Sequence, residues 1–179
     1  RYFQHLNYYI KSFNIFINSK LLEISSCLLS DKSYFSSINY HNKIPGGSET
    51  PPHQDNFYWC RKPKKALTAY IALDRQDRSN GGIKYYVGSH LGKTFNHKNS
   101  NVKGFSSFIS KKDLPNSKIF TTYLNPGDAI FHHCNVVHAA DQNKHKKKSR
   151  QAIALAIFSF RSKINKVLLA YNTYINDKF

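Results

Sequence analysis

With 179 residues, 40% hydrophobic and 15% aromatic, the chain suits one domain with a real core and is too apolar for a disordered segment. No run of about 18 apolar residues occurs, which excludes a membrane-spanning helix in this sequence. The formal net charge of +17 fits either an electropositive surface drawn to acidic substrates, nucleic acid or anionic lipid, or a compositional excess of Lys with Arg scarce; the second reading is preferred, because phosphate readers usually use Arg forks.

In chain order, Phe3, Leu6, Ile10, Phe13 and Ile17 recur at three- and four-residue steps and predict an amphipathic helix, followed by a second through Leu21, Ile24 and Leu28. Ser36–His41 reads as a short strand and Pro45-Gly46-Gly47 as a turn. Ala66–Leu73 is a strand with Leu67, Ala69, Ile71 and Leu73 on one face and Thr68, Tyr70 and Ala72 on the other. Asn80-Gly81-Gly82 carries turn chemistry before the strand Ile83–Val87. Thr94–Ser117 is too long and polar for an ordinary connection, the mark of a functional lid or an insertion. Strands Ile119–Tyr123, Ala129–His138, Gln151–Phe160 and Lys166–Tyr171 follow, with the turn Asn125-Pro126-Gly127-Asp128 between the first two. Strands at this spacing predict one mainly β domain over residues 1–179, a sandwich, barrel or small jelly roll braced by the N-terminal helices.

The chain starts at Arg1 and contains no Met, so it is read as lacking its native N-terminus, with any upstream targeting signal out of view. Cys27, Cys60 and Cys134 are widely spaced and form no metal or redox pattern; reduced thiols in a cytoplasm are the simplest expectation.

Chemistry concentrates at His53-Gln54-Asp55. Residues two apart on a strand share a face, so His53 and Asp55 would aim an imidazole and a carboxylate at one point, with Gln54 turned away. These are two ligands of a 2-His-1-carboxylate triad, the set associated with non-haem Fe(II) oxygenases. The same tripeptide also arises by chance on polar edge strands. His138, about 85 residues further on, is the candidate third ligand. On one continuous strand Ala129–His138, His132 would sit some 20 Å from His138 and could share its metal only if the strand were broken.

Five ordered blocks resemble the phytanoyl-CoA dioxygenase family: TPPHQDNFYW at 50–59, ALTAYIALD at 66–74, NGGIKYYVGSH at 80–90, PGDAIFHH at 126–133, and HAADQN at 138–143 with RQA at 150–152. The resemblance runs from about Ile38 to Phe160. It implies a double-stranded β-helix, a cupin-like jelly roll, with Fe(II) held by His53, Asp55 and His138. It implies 2-oxoglutarate and O2 as co-substrates, succinate and CO2 as co-products, and hydroxylation of a small molecule at an unactivated C–H. It places Arg150 on the distal carboxylate of 2-oxoglutarate, a task that suits a bidentate guanidinium. Asn39 and Tyr70 fall where the family contacts the co-substrate, Tyr70 standing where an indole is more usual. Ala140 replaces a frequent hydroxyl residue. Asp55 occupies the position that is small in related iron halogenases, so hydroxylation is expected in preference to chlorination. The basic loop Lys144–Lys148 is read as a solvated turn in preference to a nucleic-acid contact. The rival reading is a cupin-like protein that binds a metal or small molecule without turnover.

Overall fold

A computed structural model describes residues 2–12, 20–102 and 105–177. In chain order the elements are β1 (Tyr2–Phe3), α1 (Leu6–Tyr9), α2 (Lys20–Leu29), β2 (Ser33–Lys43), β3 (Thr50–His53), α3 (Asp55–Trp59), β4 (Arg61–Lys62), β5 (Ala66–Ala72), β6 (Ile83–Tyr86), β7 (Lys98–Val102), β8 (Phe105–Phe108), β9 (Ile119–Thr121), β10 (Ala129–His133), β11 (His138–Ala140), β12 (Arg150–Ser159), β13 (Lys163–Ile164) and α4 (Lys166–Asp177). One antiparallel sheet has the order β1-β2-β12-β5-β10 and the other β3-β11-β6-β9. Their inner faces meet in a shared core of Tyr70, Ala72, Ala152 and Ala154 from the first sheet and Ile83 and Tyr85 from the second. Two facing sheets with this crossing connectivity make a double-stranded β-helix, a mainly β jelly roll.

Alternation along β12 explains both how the sheet packs and where it leaves room. Leu155 and Ile157, with Ile153, point outward and join Leu67 and Ala69 of β5 in a cluster covered by Leu21, Leu22 and Leu29 of α2. Burying such aliphatic side chains contributes about 1.5–3 kcal/mol each. Ala152, Ala154 and Ala156 point inward, and side chains this small leave space between the sheets. That space is the cavity described below.

Several expectations are corrected. The first stripe is not one helix: Tyr2 and Phe3 pair as β1 with His41 and Tyr40 of β2, and α1 is a single turn. Phe13 and Ile17 lie outside the described residues. Lys166–Tyr171 is helical, not a strand: Asn165 caps α4, its Oδ1 accepting the Leu168 N–H at 3.1 Å. Asn172 Nδ2 then ties α4 to the Phe57 carbonyl at 2.7 Å. Thr94–Ser117 carries the hairpin β7–β8, anchored by the Ile109 N–H on the Pro52 carbonyl at 2.7 Å and by Tyr58 Oη donating to the Ser107 carbonyl at 2.9 Å.

The most consequential correction concerns Ala129–His138. It is two strands in different sheets, β10 in the first and β11 in the second, separated by a turn at Cys134-Asn135. Asn135 makes that turn rigid and fully buried: its side chain donates to the Gly92 carbonyl at 3.0 Å and accepts from Thr94 Oγ1 at 2.9 Å. Cys134 and Cys60 are buried thiols and Cys27 an exposed one. No helix among the described residues is long and apolar enough to cross a membrane.

Candidate metal and co-substrate site

β3 ends at His53 and the chain turns at once into α3, whose first residue is Asp55. His53 and Asp55 therefore do not share a strand face; the sharp strand-to-helix turn brings them together instead. Gln54, the extended residue between them, points away and is fully buried, its Nε2 donating to the Asn135 carbonyl at 2.6 Å and its Oε1 accepting the Phe95 N–H at 2.8 Å. Its own N–H donates to His97 Nε2 at 3.1 Å. His138 opens β11 directly opposite His53 in the ladder, and the two rings lie 4.2 Å apart.

Both imidazoles are oriented by the backbone two residues upstream. His53 Nδ1 donates to the Pro51 carbonyl at 2.8 Å and His138 Nδ1 to the Val136 carbonyl at 3.2 Å. A proton fixed on Nδ1 makes Nε2 the ligating atom, the usual arrangement of metal-binding histidines. The two Nε2 atoms lie 3.8 and 3.7 Å from Oδ1 of Asp55. All three ligand atoms fall within 4.8 Å of one another. Burial pushes the pKa of His53 down and that of His138 well down, so both stay neutral. Burial opposes the Asp55 carboxylate, but the His138, His132 and His53 rings outweigh it and hold its pKa below the ordinary value. Two neutral imidazoles and one carboxylate suit a divalent first-row metal.

The second carboxylate oxygen is committed elsewhere. Asp55 Oδ2 accepts from Thr68 Oγ1 at 2.7 Å and from His132 Nε2 at 3.2 Å. Tyr85 Oη in turn donates to His132 Nδ1 at 2.9 Å. His132, expected far from His138, has its ring centre 4.7 Å from it, because the break at Cys134-Asn135 carries the chain from β10 into the facing sheet, so that both rings point into the space between the sheets.

The triad opens onto a cavity of about 520 Å³. Arg150, Tyr70 and Asn39, which the resemblance places at the co-substrate, all line it. Arg150 opens β12 and is buried, its Nη1 donating to Tyr70 Oη. Tyr70 Oη passes the chain on to Gln76 Oε1 at 3.1 Å. Arg150 Nε is buried with no hydrogen-bond partner among the described residues. A buried guanidinium N–H left unmade is costly, and an anion in the cavity would satisfy it. Burial and the Arg150 charge together push the neighbouring His41 down to about 3, so that ring is neutral. Asn39 Oδ1 accepts the His5 N–H at 3.2 Å, and Ala140 lines the cavity without a polar group to offer.

Comparison with known proteins settles the kinship. The phytanoyl-CoA dioxygenase (PhyH) family model matches residues 2–152. The chain belongs to that family. A probable alpha-ketoglutarate-dependent hypophosphite dioxygenase of Stutzerimonas stutzeri is 29% identical over 114 residues, 60% of this chain and 38% of that protein. The curated relatives it matches are aligned over only 30% to 38% of their own length. Among solved structures, the epimerase SnoN in complex with Fe3+, alpha ketoglutarate and nogalamycin RO superposes with a TM-score of 0.77 at 19% identity, covering 96% of this chain and 68% of that one. EvdO2 from Micromonospora carbonacea var. aurantiaca, complexed with 2-oxoglutarate, gives 0.75 at 22% identity, covering 92% and 68%. At such identities the superpositions establish the jelly-roll fold.

Sequence reasoning did not single out Thr68, Tyr85, His41 or Arg61, all of which lie in or behind the cavity. Thr68 had a signal, since alternation along β5 puts it on the same inner face as Tyr70.

Proposed function

We propose that the chain is an Fe(II)- and 2-oxoglutarate-dependent oxygenase that hydroxylates an unactivated C–H of a small molecule, in a single domain spanning residues 1–179. One observation carries the reading: the His53, His138 and Asp55 ligand atoms converge at a cavity into which Arg150 brings a buried guanidinium with an unpartnered Nε–H. His53 Nε2, His138 Nε2 and Asp55 Oδ1 would hold the metal. Thr68 and His132 keep Asp55 Oδ2 engaged, so Oδ1 is the oxygen that would ligate. Arg150, buttressed by Tyr70, would take the distal carboxylate of 2-oxoglutarate, with Asn39 near the co-substrate. Bound there, iron and 2-oxoglutarate supply the oxidising chemistry, in which one atom of O2 enters succinate and the other the substrate, with CO2 released. The protein's own contribution is to fix the ligands, keep both histidines neutral and surround the reaction with apolar and aromatic walls. Asp55 supports hydroxylation over halogenation, because its carboxylate fills the position a halide would need.

The deciding experiment is anaerobic calorimetry: Fe(II) into the full chain, then 2-oxoglutarate into the iron-loaded protein. Stoichiometric iron followed by saturable 2-oxoglutarate binding is expected, with succinate released once O2 and a substrate are supplied. Iron binding with no 2-oxoglutarate binding would favour the cupin-like binder.

A further inference from the structure

Two guanidinium nitrogens among the described residues are buried without a hydrogen-bond partner, Arg150 Nε and Arg61 Nε, and both arginines line the one cavity that holds the triad. The first is accounted for by the co-substrate. We propose that Arg61 is a second anion-binding point, and that the substrate carries a single negative charge on an apolar or aromatic body. This rests on the oxygenase reading above.

Arg61 stands just past α3, which starts at Asp55, so at about 1.5 Å per helical residue the backbones of the two residues lie on the order of 10 Å apart. That is the span of a small substrate whose far end is gripped while a C–H nears the metal. The side chain is fixed rather than free to sample solvent. Nη1 donates to the Ser162 carbonyl at 3.0 Å, Nη2 to Tyr34 Oη at 3.4 Å, and the guanidinium carbon lies 3.9 Å from the centre of the Phe158 ring. Its backbone is held as well, the Arg61 N–H donating to Asn56 Oδ1 at 3.0 Å. All these partners are neutral, and no carboxylate forms an ion pair with Arg61 among the described residues. A positive charge so positioned, with one donor still unmade, lacks an anion.

The charge inventory of the cavity points the same way. Asp55 is the one acidic residue among those lining it, and Arg150 and Arg61 are the two permanent cations. A divalent metal together with Asp55 and Arg150 is neutralised by dianionic 2-oxoglutarate. The Arg61 charge is left over, and one negative charge on the substrate balances it. Around Arg61 the walls are Tyr58, Trp59, Phe158, Ile164 and Leu169, which suit an apolar or aromatic remainder.

The test loads the full chain anaerobically with Fe(II) and 2-oxoglutarate, so that Arg150 is engaged, and titrates three acid/amide pairs by calorimetry: hexanoate and hexanamide, phenylacetate and phenylacetamide, 3-phenylpropionate and its amide. At least one acid should bind about ten-fold or more tightly than its amide. In Arg61→Gln that preference should shrink to within about two-fold, with 2-oxoglutarate affinity kept within about two-fold of wild type. Arg61→Lys, which keeps charge but loses the Nε–H and the planar stack, should retain a preference weakened by about three-fold or more, and it decides the matter should Arg61→Gln fail to fold. The proposal is overturned if no acid binds better than its amide, or if the preference survives undiminished in either variant. Failure of 2-oxoglutarate to bind wild type would remove the oxygenase reading instead; an acid preference that still depends on Arg61 would leave the anion point standing.

Discussion

His132 Nε2 lies 3.2 Å from Oδ2 of Asp55, although His132 sits on β10 of the first sheet and Asp55 opens α3 behind the second. The contact fixes the carboxylate so that its other oxygen faces the two histidines. Outer partners of this kind are typically worth about 10–100-fold in metal affinity. His132→Ala should therefore weaken Fe(II) binding by roughly that factor, read by competition with a chromophoric chelator, and His132→Gln should recover part of it by restoring an N–H. Unchanged affinity in His132→Ala would make the contact incidental to the metal.

His138 is expected to be a ligand itself, so its loss should cost more. His138→Ala should lower iron occupancy by about an order of magnitude or more under limiting metal, since a three-residue set reduced to two loses a full coordinate bond. Elemental analysis of the purified variant gives the answer, and full occupancy would unseat the triad.

Arg150→Ala should weaken 2-oxoglutarate while leaving iron in place. A desolvated charge-assisted pair truncated on one side costs about 2–5 kcal/mol, which is roughly thirty-fold or more in affinity. Arg150→Lys should rescue only in part, because an ammonium has no fork and its reach to Tyr70 differs. Equal affinities for 2-oxoglutarate in all three proteins would place the co-substrate elsewhere.

Acid should destabilise the metal-free protein through His97. Its ring stacks on Phe57 at 4.1 Å, and its Nε2 accepts the Gln54 N–H, so the folded state needs it neutral. Burial lowers its pKa from 6.5 to about 4. The unfolded chain thus takes up this proton near pH 6.5 and the folded one only near pH 4, so stability is full above the first value and falls as pH drops through the window. Between pH 7 and pH 5 the loss from this one ring is about 2 kcal/mol. His97→Gln retains an acceptor without a titrating group and should show a correspondingly shallower pH dependence in urea unfolding. Identical slopes for the two proteins would contradict the assignment.

The parts of this architecture that were legible from sequence are those governed by local rules. Inward and outward faces of β5 follow directly from alternation, and Arg150 was marked by the RQA block of the family resemblance. What stayed hidden depends on where the chain leaves a sheet. Nothing in the apolar run Ala129–His138 announces that Cys134-Asn135 is a turn, because Asn135 is stabilised by carbonyls of the distant segment His90–Lys93. The misplacement of His132 follows from that one omission. Likewise Asp55 reads as a strand residue until the helix after Gln54 is seen, and Lys166–Tyr171 has apolar spacing too short to separate helix from strand without the Asn165 cap. Arg61 was unreadable for a different reason: what sets it apart is a buried Nε–H without a partner, which no sequence pattern displays.

Asp55 touches both halves of the jelly roll at once, with Thr68 and His132 of one sheet on Oδ2 and the histidines of the other sheet beside Oδ1. A metal bound there would clasp β3, α3 and β11 together, and separating β3 from β11 amounts to releasing the ion. Opening and metal loss become a single event. Backbone amides of β3 and β11 should then exchange with deuterium far more slowly in the loaded protein, by the free energy of binding at the prevailing concentration, about 2.7 kcal/mol at a hundred times the dissociation constant. Amides of β2 and β12 in the first sheet, which supplies no ligand and opens without disturbing the clasp, should change little by comparison.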